Sequence, residues 1–394
     1  MNESKRPLKV MFVITSMPVG GAETLLVEML YRFDSNRIQP MVCCLKDKDV
    51  LGEKISSDFP VVSNLIHHKF DVSVVTRLRA IINEHEIDVV VTIGAGDKMF
   101  WGRLAARYCR TPVVLSALHS TGWPDGVGTL NRLLTGITTG FIAVANSHGR
   151  YLVDNECFPA EKVFVIPNGV DPNRFRFSAD SRTRWRNQLG ISAASPVAGI
   201  VAALRPEKNH ALFINAAYEV RKQLPNSHFV IVGDGPEREN IEQQILQLGL
   251  KDVVHLAGCT DDVPGVLSMM DLFALTSHNE ASPVSILEAM FCQRPVVSTD
   301  VGSVNESVTE GKTGFLVEPG NLDQTVERWF ELLSSPDLAN SFGASGREQV
   351  LQTSSLDTMT LGYTELIEHL FAQKSSMVNE PTIHPANASF QAIS

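Results

Sequence analysis

The chain has 394 residues, 44% of them apolar and 20% charged, a soluble globular composition long enough for two domains. The net charge of −10 argues against a general nucleic-acid binder, and no window approaches 18 uninterrupted apolar residues, so no membrane span is expected. The charge is uneven: residues 1–180 hold 20 Lys+Arg against 19 Asp+Glu, whereas 181–394 hold 14 against 25.

From the first residues onward, short β-rich runs alternate with longer helical stretches. "KVMFVIT" (9–15), "QPMVCCL", "DVVVTIG" (88–94), "PVVLSAL" (112–118), "FIAVANS" (141–147) and "KVFVIPN" (162–168) read as strands. Between them lie helical patterns such as Ala22–Phe33, with Leu25, Leu26, Met29 and Leu30 on one side. This is the βαβ rhythm of a parallel sheet covered on both faces. "NGVDPNRF" breaks it, and the Arg-rich "SRTRWRNQLG" follows as a short helix.

The rhythm restarts with "PVAGIVAAL" (196–204), "HFVIVGDG" (228–235), "DVVHLAG" (252–258), "DLFALTS" (271–277), "RPVVSTDVG" (294–302) and "TGFLVEP" (313–319). The expectation is an α/β protein of two Rossmann-like, doubly wound domains, 1–175 and 176–354. A helix over 355–373 should return to the first domain, with a disordered tail at 374–394. Ligands of such sheets sit at the carboxyl ends of the strands, so the cleft between the sheets is the expected site.

The cysteines at 43, 44, 109, 157, 259 and 292 form no CxxC pair and no metal-ligand spacing, and read as reduced, buried thiols of a cytosolic protein. "DKD" (47–49) has the form of a metal-binding DxD but reads as a charged turn. His67-His68 has no third ligand at helical spacing. No metal is expected.

Four strand ends carry chemistry. In "VGGAE", Gly20 and Gly21 follow the first strand, either as a plain turn or as a loop exposing N–H groups to a ligand. His119 in "SALHST" ends a core strand. In "ALRPEKNH", Arg205 and Lys208 could meet diphosphate charge or form a solvated helix start with Glu207 as its first-turn acid. In "VGDGPE", Gly233 and Asp234 could face a ligand, although Asp234 fits a helix cap better.

"SHNEASPVSILEAM" (277–290) is more specific. Glu280 and Glu288 bracket Ser282-Pro283, which reads as a serine N-cap and a proline at the first helical position. The free N–H groups near Val284 and Ser285 favour an anion. Two carboxylates beside an anion site suit a ligand with both phosphates and hydroxyls, such as a sugar on a nucleoside diphosphate.

With "GGAE", "RPEK", "IPNGVD" and "VGDGP" in this order, and the E-x7-E pattern of Glu280 and Glu288, the chain resembles the large family of retaining GT-B glycosyltransferases, the family 4-like enzymes. The resemblance runs from about residue 8 to 370. It implies a nucleoside diphosphate sugar as co-substrate without metal or other cofactor, and a saccharide or lipid-linked saccharide acceptor. It further implies a cytoplasmic enzyme with peripheral contact at the inner membrane face. Gly20 and Gly21 would lie against donor phosphate or sugar. Glu280 would bind sugar hydroxyls and Glu288 the ribose, while the N–H groups of Ser282, Pro283's neighbour Val284 and the loop at Ala281 would hold sugar and diphosphate. Gly233 and Asp234 join this donor set, Lys208 would neutralise the leaving diphosphate, and His119 would touch the sugar near the reacting carbon. Two departures stand out. Ala203 occupies the place of a usual arginine, for which Arg205 is the candidate substitute, and "EASP" replaces "EGFP", changing the pocket at Ala281 and Ser282. A non-catalytic nucleotide-sugar-binding subunit and a GT-B epimerase are the competing readings.

Overall fold

The computed structural model describes residues 6–68, 71–94, 97–119 and 132–379. The chain forms two compact units, Met1–Gly169 together with Leu356–Ser394, and Val170–Ser355.

The first unit is built on strands β1 (Leu8–Ile14), β2 (Ile38–Cys44), β3 (Val61–Val62), β4 (Val89–Ile93), β5 (Val113–Ala117), β6 (Gly140–Ala143) and β7 (Val163–Val165). Among the described residues they make one parallel sheet in the order β3-β2-β1-β4-β5-β6-β7. Every residue of β4, β5 and β6 is buried. That explains their largely apolar sequences: helices cover both faces of a parallel sheet, and the two polar residues within them, Thr92 and Ser116, are hydrogen-bonded to each other at 2.9 Å.

In the second unit, β8 (Val197–Val201), β9 (His228–Val232), β10 (Val254–Gly258), β11 (Leu272–Leu275), β12 (Val296–Thr299) and β13 (Gly314–Val317) form a parallel sheet in the order β10-β9-β8-β11-β12-β13. Its core gathers Phe213, Phe229 and Phe273 with the fully buried Trp329. The order of strands reverses between β8 and β11. At such a switch point the outgoing loops diverge and open a crevice at the carboxyl ends of the two strands. β8 runs into Ala202–Asn209 and β11 into Thr276–Pro283, so the "RPEK" and E-x7-E segments flank one crevice.

Unit boundaries and helix ends differ in detail from the sequence reading. The chain passes from one unit to the other at Gly169–Val170, not after residue 175, because Val170 and Phe175 belong to the second core. The Val170 N–H also donates to Ser354 O at 3.0 Å. The last helix spans Leu356–Asn379, beyond the expected end at 373. Tyr363, Leu366, Ile367 and Leu370 on it are buried, and Arg37 grips Glu368 with two hydrogen bonds of 2.9 and 2.6 Å. Helix therefore replaces the expected disorder at 374–379, and the remainder of the tail, 380–394, lies outside the described residues. Cysteine burial also needs correction: Cys43, Cys44 and Cys292 are buried, but Cys157 and Cys259 are exposed, because they sit in loops and not in the strands.

Candidate donor-binding site

The β8–helix connection is a tight loop in which the N–H groups of Ala202, Leu204, Arg205, Lys208 and Asn209 are hydrogen-bonded. Pro206–Lys208 forms a single 3-10 turn, after which Asn209 takes the left-handed conformation (φ 49°) and caps the helix His210–Gln223 by accepting from Leu212 N. Glu207 therefore lies in a separate turn and is not a first-turn acid of the helix. Thr276 Oγ1, from the end of β11, donates to the carbonyls of Lys208 (3.1 Å) and Asn209 (3.0 Å). His278 N donates to Glu207 O at 2.8 Å. These bonds fix the Lys208 backbone against the loop that carries Glu280.

The side chains then meet. Lys208 Nζ donates to Glu280 Oε1 at 2.6 Å, and Ser277 Oγ donates to the same oxygen at 2.6 Å. Glu280 is only 8% exposed at its side chain and Lys208 23%. A carboxylate so buried needs such partners, because an unpaired charge out of water is costly. From below, Thr299 Oγ1 donates to Ser277 O at 2.6 Å and Ser303 Oγ donates to Ala281 O. Gly302 (φ 58°) presses on the Glu280 carbonyl so closely that a Cβ there would fall 1.6 Å from the oxygen.

Glu288 lies further along, half-buried on the helix Val284–Phe291. That helix begins one residue later than the serine-cap reading expects. Pro283 itself is the cap residue, with a non-helical ψ of 108°, and as a proline it offers no side-chain acceptor to the helix. Val284 is the first helical residue, Ala281 and Pro283 are buried, and Ser282 is half-buried.

The other expected residues are placed differently. The Arg205 side chain is 63% exposed, its guanidinium 3.9 Å from the Glu207 carboxylate; its backbone carbonyl accepts from Lys208 N at 3.0 Å, and among the described residues its guanidinium makes no ion pair with Glu280. Gly233 (φ 139°) packs on β8: a Cβ would lie 2.0 Å from Ala202 O, so backbone approach alone requires the glycine. Asp234 does not cap the next helix, Arg238–Gln247, whose cap residue is Glu237. Its Oδ1 instead accepts from Gly235 N at 2.8 Å and lies 3.7 Å from Arg238.

In the first unit, Gly20 is the cap residue of the helix Gly21–Arg32, and Glu23 folds back so that its Oε2 would stand 2.4 Å from a Cβ at Gly20. Among the described residues outside its own helix, nothing lies within 4 Å of a Cβ at Gly21. His119 follows β5. It is half-buried, and loss of solvent around it, with the nearby His148 adding, pushes it down to about 4.

Asp47 and Asp49 serve their own turn: Asp47 Oδ1 accepts from Asp49 N and Asp49 Oδ1 from Val50 N. Among the described residues, no group of three or more His, Cys, Asp or Glu side chains is placed to hold a metal ion.

Sequence reasoning missed Thr276, Ser277, Thr299, Gly302 and Ser303, the hydroxyl and glycine bed under Glu280. It also missed His210, which is 3% exposed with neither ring nitrogen bonded.

Two family profiles match the chain in succession: Glycosyltransferase Family 4 over residues 19–174 and Glycosyl transferases group 1 over 181–349. The chain is a member of the family 4-like glycosyltransferases. This glycosyltransferase is 28% identical, over 308 residues, to the GDP-mannose-dependent alpha-(1-6)-phosphatidylinositol monomannoside mannosyltransferase of Mycolicibacterium smegmatis, covering 75% of this chain and 80% of that one. It is 28% identical over 290 residues to the UDP-Gal:alpha-D-GlcNAc-diphosphoundecaprenol alpha-1,3-galactosyltransferase of Escherichia coli, covering 71% and 75%. Its fold matches that of Anabaena HepE in complex with UDP-glucose at a TM-score of 0.82 and 24% identity, covering 92% of this chain and 100% of that one. The two parallel-sheet units are thus those of a GT-B fold.

Proposed function

We propose that the protein transfers a sugar from a nucleoside diphosphate sugar to a hydroxyl of a saccharide or lipid-linked saccharide, with retention at the anomeric carbon. The single observation that carries this reading is the Lys208–Glu280 pair at the β8/β11 switch point, with Glu288 further along the helix that starts beside it. In this reading the second unit holds the donor. Lys208 and the N–H groups opening the Val284–Phe291 helix meet the diphosphate, whose charge grows as it leaves. Glu280 accepts from sugar hydroxyls and Glu288 from the ribose. Glu280 is already bonded to Lys208 and Ser277, which suits holding a sugar better than attacking it, so the reading is a front-side, ion-pair-like substitution without covalent intermediate. Gly20, Gly21 and His119 keep the donor-facing roles that the family resemblance implies.

The relatives named above act on GDP-mannose and UDP-galactose with lipid-bearing acceptors, which supports a sugar-nucleotide donor and an acceptor met at the inner membrane face by a cytoplasmic, peripheral enzyme. Among the described residues no helix is long and apolar enough to cross a membrane. Diphosphate charge is met by Lys208 and backbone N–H groups, so the reaction is proposed to need no metal.

A thermal-shift screen of UDP-, GDP- and ADP-sugars, followed by transfer assays on the stabilising donor with the product anomer read by NMR, tests the reading. Retained configuration and activity that survives EDTA are expected. An inverted product, or transfer abolished by chelation and restored by manganese, overturns the corresponding part. The competing reading, a non-catalytic nucleotide-sugar binder, is favoured by Ala203 in place of the usual arginine and by the exposure of Arg205. Donor binding without turnover would select it.

A further inference from the structure

We infer that Ser277 is a positioning residue that makes Glu280 a one-oxygen reader of the donor sugar. This rests on the proposed donor site and adds to it a determinant of sugar selectivity.

The observation is an asymmetry within one carboxylate. Both hydrogen bonds that Glu280 accepts, from Lys208 Nζ and Ser277 Oγ, fall on Oε1, each at 2.6 Å. Among the described residues none donates to Oε2. A carboxylate has about four acceptor positions on two oxygens. Two short bonds on one oxygen anchor it and leave the other as the acceptor a ligand hydroxyl meets.

The anchor is rigid for stated reasons. Ser277 is fully buried, and its own carbonyl is held by Thr299 Oγ1 at 2.6 Å. The Glu280 carbonyl is blocked on one side by the Gly302 backbone, and the neighbouring Ala281 carbonyl is held by Ser303 Oγ. Lys208 alone would not fix the carboxylate: its ammonium is a point charge with three rotatable donors, and it must also meet the diphosphate in the proposed reaction. When the lysine turns to phosphate, Ser277 is the remaining donor keeping Oε1 in place and Oε2 presented. Loss of the serine hydroxyl should therefore affect recognition of the sugar while sparing the nucleotide.

The test compares each free diphosphate with its sugar nucleotide. Affinities of UDP and UDP-glucose, and of GDP and GDP-mannose, are measured by calorimetry for wild type, Ser277→Ala and Ser277→Thr, with donor KM and kcat for whichever pair the wild type binds. In Ser277→Ala, sugar-nucleotide affinity is expected to fall about tenfold or more, the scale of a lost hydrogen bond to a charged group. Free-diphosphate affinity should change less than about twofold, with the kinetic loss mainly in donor KM. Ser277→Thr keeps the hydroxyl and should recover most of the loss. Equal weakening of diphosphate and sugar nucleotide in Ser277→Ala, or no weakening of either, overturns the inference while the donor site stands. Where the wild type binds neither pair, ADP and ADP-glucose are measured in the same way, and failure to bind any nucleotide of the three series or its sugar removes the donor-site reading and the inference with it. Should Ser277→Ala not fold, Ser277→Cys, nearly isosteric with a weak donor, is measured in its place against the same two outcomes.

Discussion

Lys208 and Glu280, 72 residues apart in the chain, meet at 2.6 Å across the point where the strand order of the second sheet reverses. The pair holds the proposed phosphate-facing cation and sugar-facing anion in one another's reach before any ligand arrives. In the proposed reaction, binding a diphosphate would draw Lys208 toward a new partner, and the energy of that exchange would be largest when leaving-group charge is greatest. Lys208→Ala is expected to lower kcat by well over tenfold. Glu280→Ala should lower turnover, and Glu288→Ala should weaken donor binding by about 1.5–3 kcal/mol, the worth of a hydrogen bond to a charged group. Calorimetry with the selected donor and steady-state kinetics read these. Unchanged values in both glutamate variants would remove the site assignment.

Gly302 offers a purely steric test of the same site. Its φ of 58° already disfavours a side chain, and an added Cβ would collide with the Glu280 carbonyl oxygen at 1.6 Å. Backbone on both sides must move to accept it. Gly302→Ala should destabilise the protein by at least the ~1–3 kcal/mol of a strained left-handed position, seen as a lower Tm. It should also weaken sugar-nucleotide binding at temperatures where the variant is still folded. Gly311 (φ 67°) is the control: nothing lies within 4 Å of its Cβ position, so Gly311→Ala carries the conformational cost alone.

Much of this was legible in the chain. Unbroken apolar strands alternating with helices give the two sheets, and Glu280 and Glu288 stand where their spacing places them. The support under Glu280 was not legible, because its partners are distant in sequence and chemically common. Thr276 reaches back 68 residues to the Lys208 carbonyl and Thr299 reaches 22 residues to Ser277, and a serine or threonine after a strand looks like any turn. The reason for a glycine at 233 was hidden in a related way. A glycine after a strand suits a ligand loop or a close backbone contact equally, and the Ala202 carbonyl beside it, invisible in the local sequence, is a packing reason for the glycine. Arg205 was placed by its distance along the chain from Ala203. It caps the 3-10 turn that follows, and its side chain is 63% exposed, which local spacing does not reveal.

Thiol reactivity should divide sharply. Burial pushes Cys43, Cys44 and Cys292 up to about 12, which removes both access and thiolate. Cys157 and Cys259 are exposed. In the native protein, an aromatic disulfide reagent at pH 8 is expected to modify Cys157 and Cys259 rapidly and to reach Cys43, Cys44 and Cys292 only after denaturant is added. Peptide mapping after a timed quench identifies the sites. Rapid labelling of Cys43 or Cys44 would mean that β2 opens in the native state.

His210 carries the clearest pH signature in the second unit. It is 3% exposed, neither ring nitrogen has a hydrogen-bond partner among the described residues, and burial with the Lys208 charge pushes it down to about 4 against an ordinary 6.5. The unfolded chain takes up a proton below about pH 6.5 that the folded protein refuses until about 4, so stability is intact above that window and falls as pH drops through it. His119, also pushed down to about 4 by burial, acts in the same direction in the first unit. His210→Leu removes two unsatisfied buried nitrogens and the titration together, and replacing an unpartnered polar group by an apolar one of similar size is neutral or stabilising. The variant should match or exceed the wild-type Tm at pH 7.5 and exceed it by a wider margin at pH 5. An equal loss of Tm at both pH values would instead mean that water bonds the ring in solution and that His210 contributes to the loop carrying Lys208.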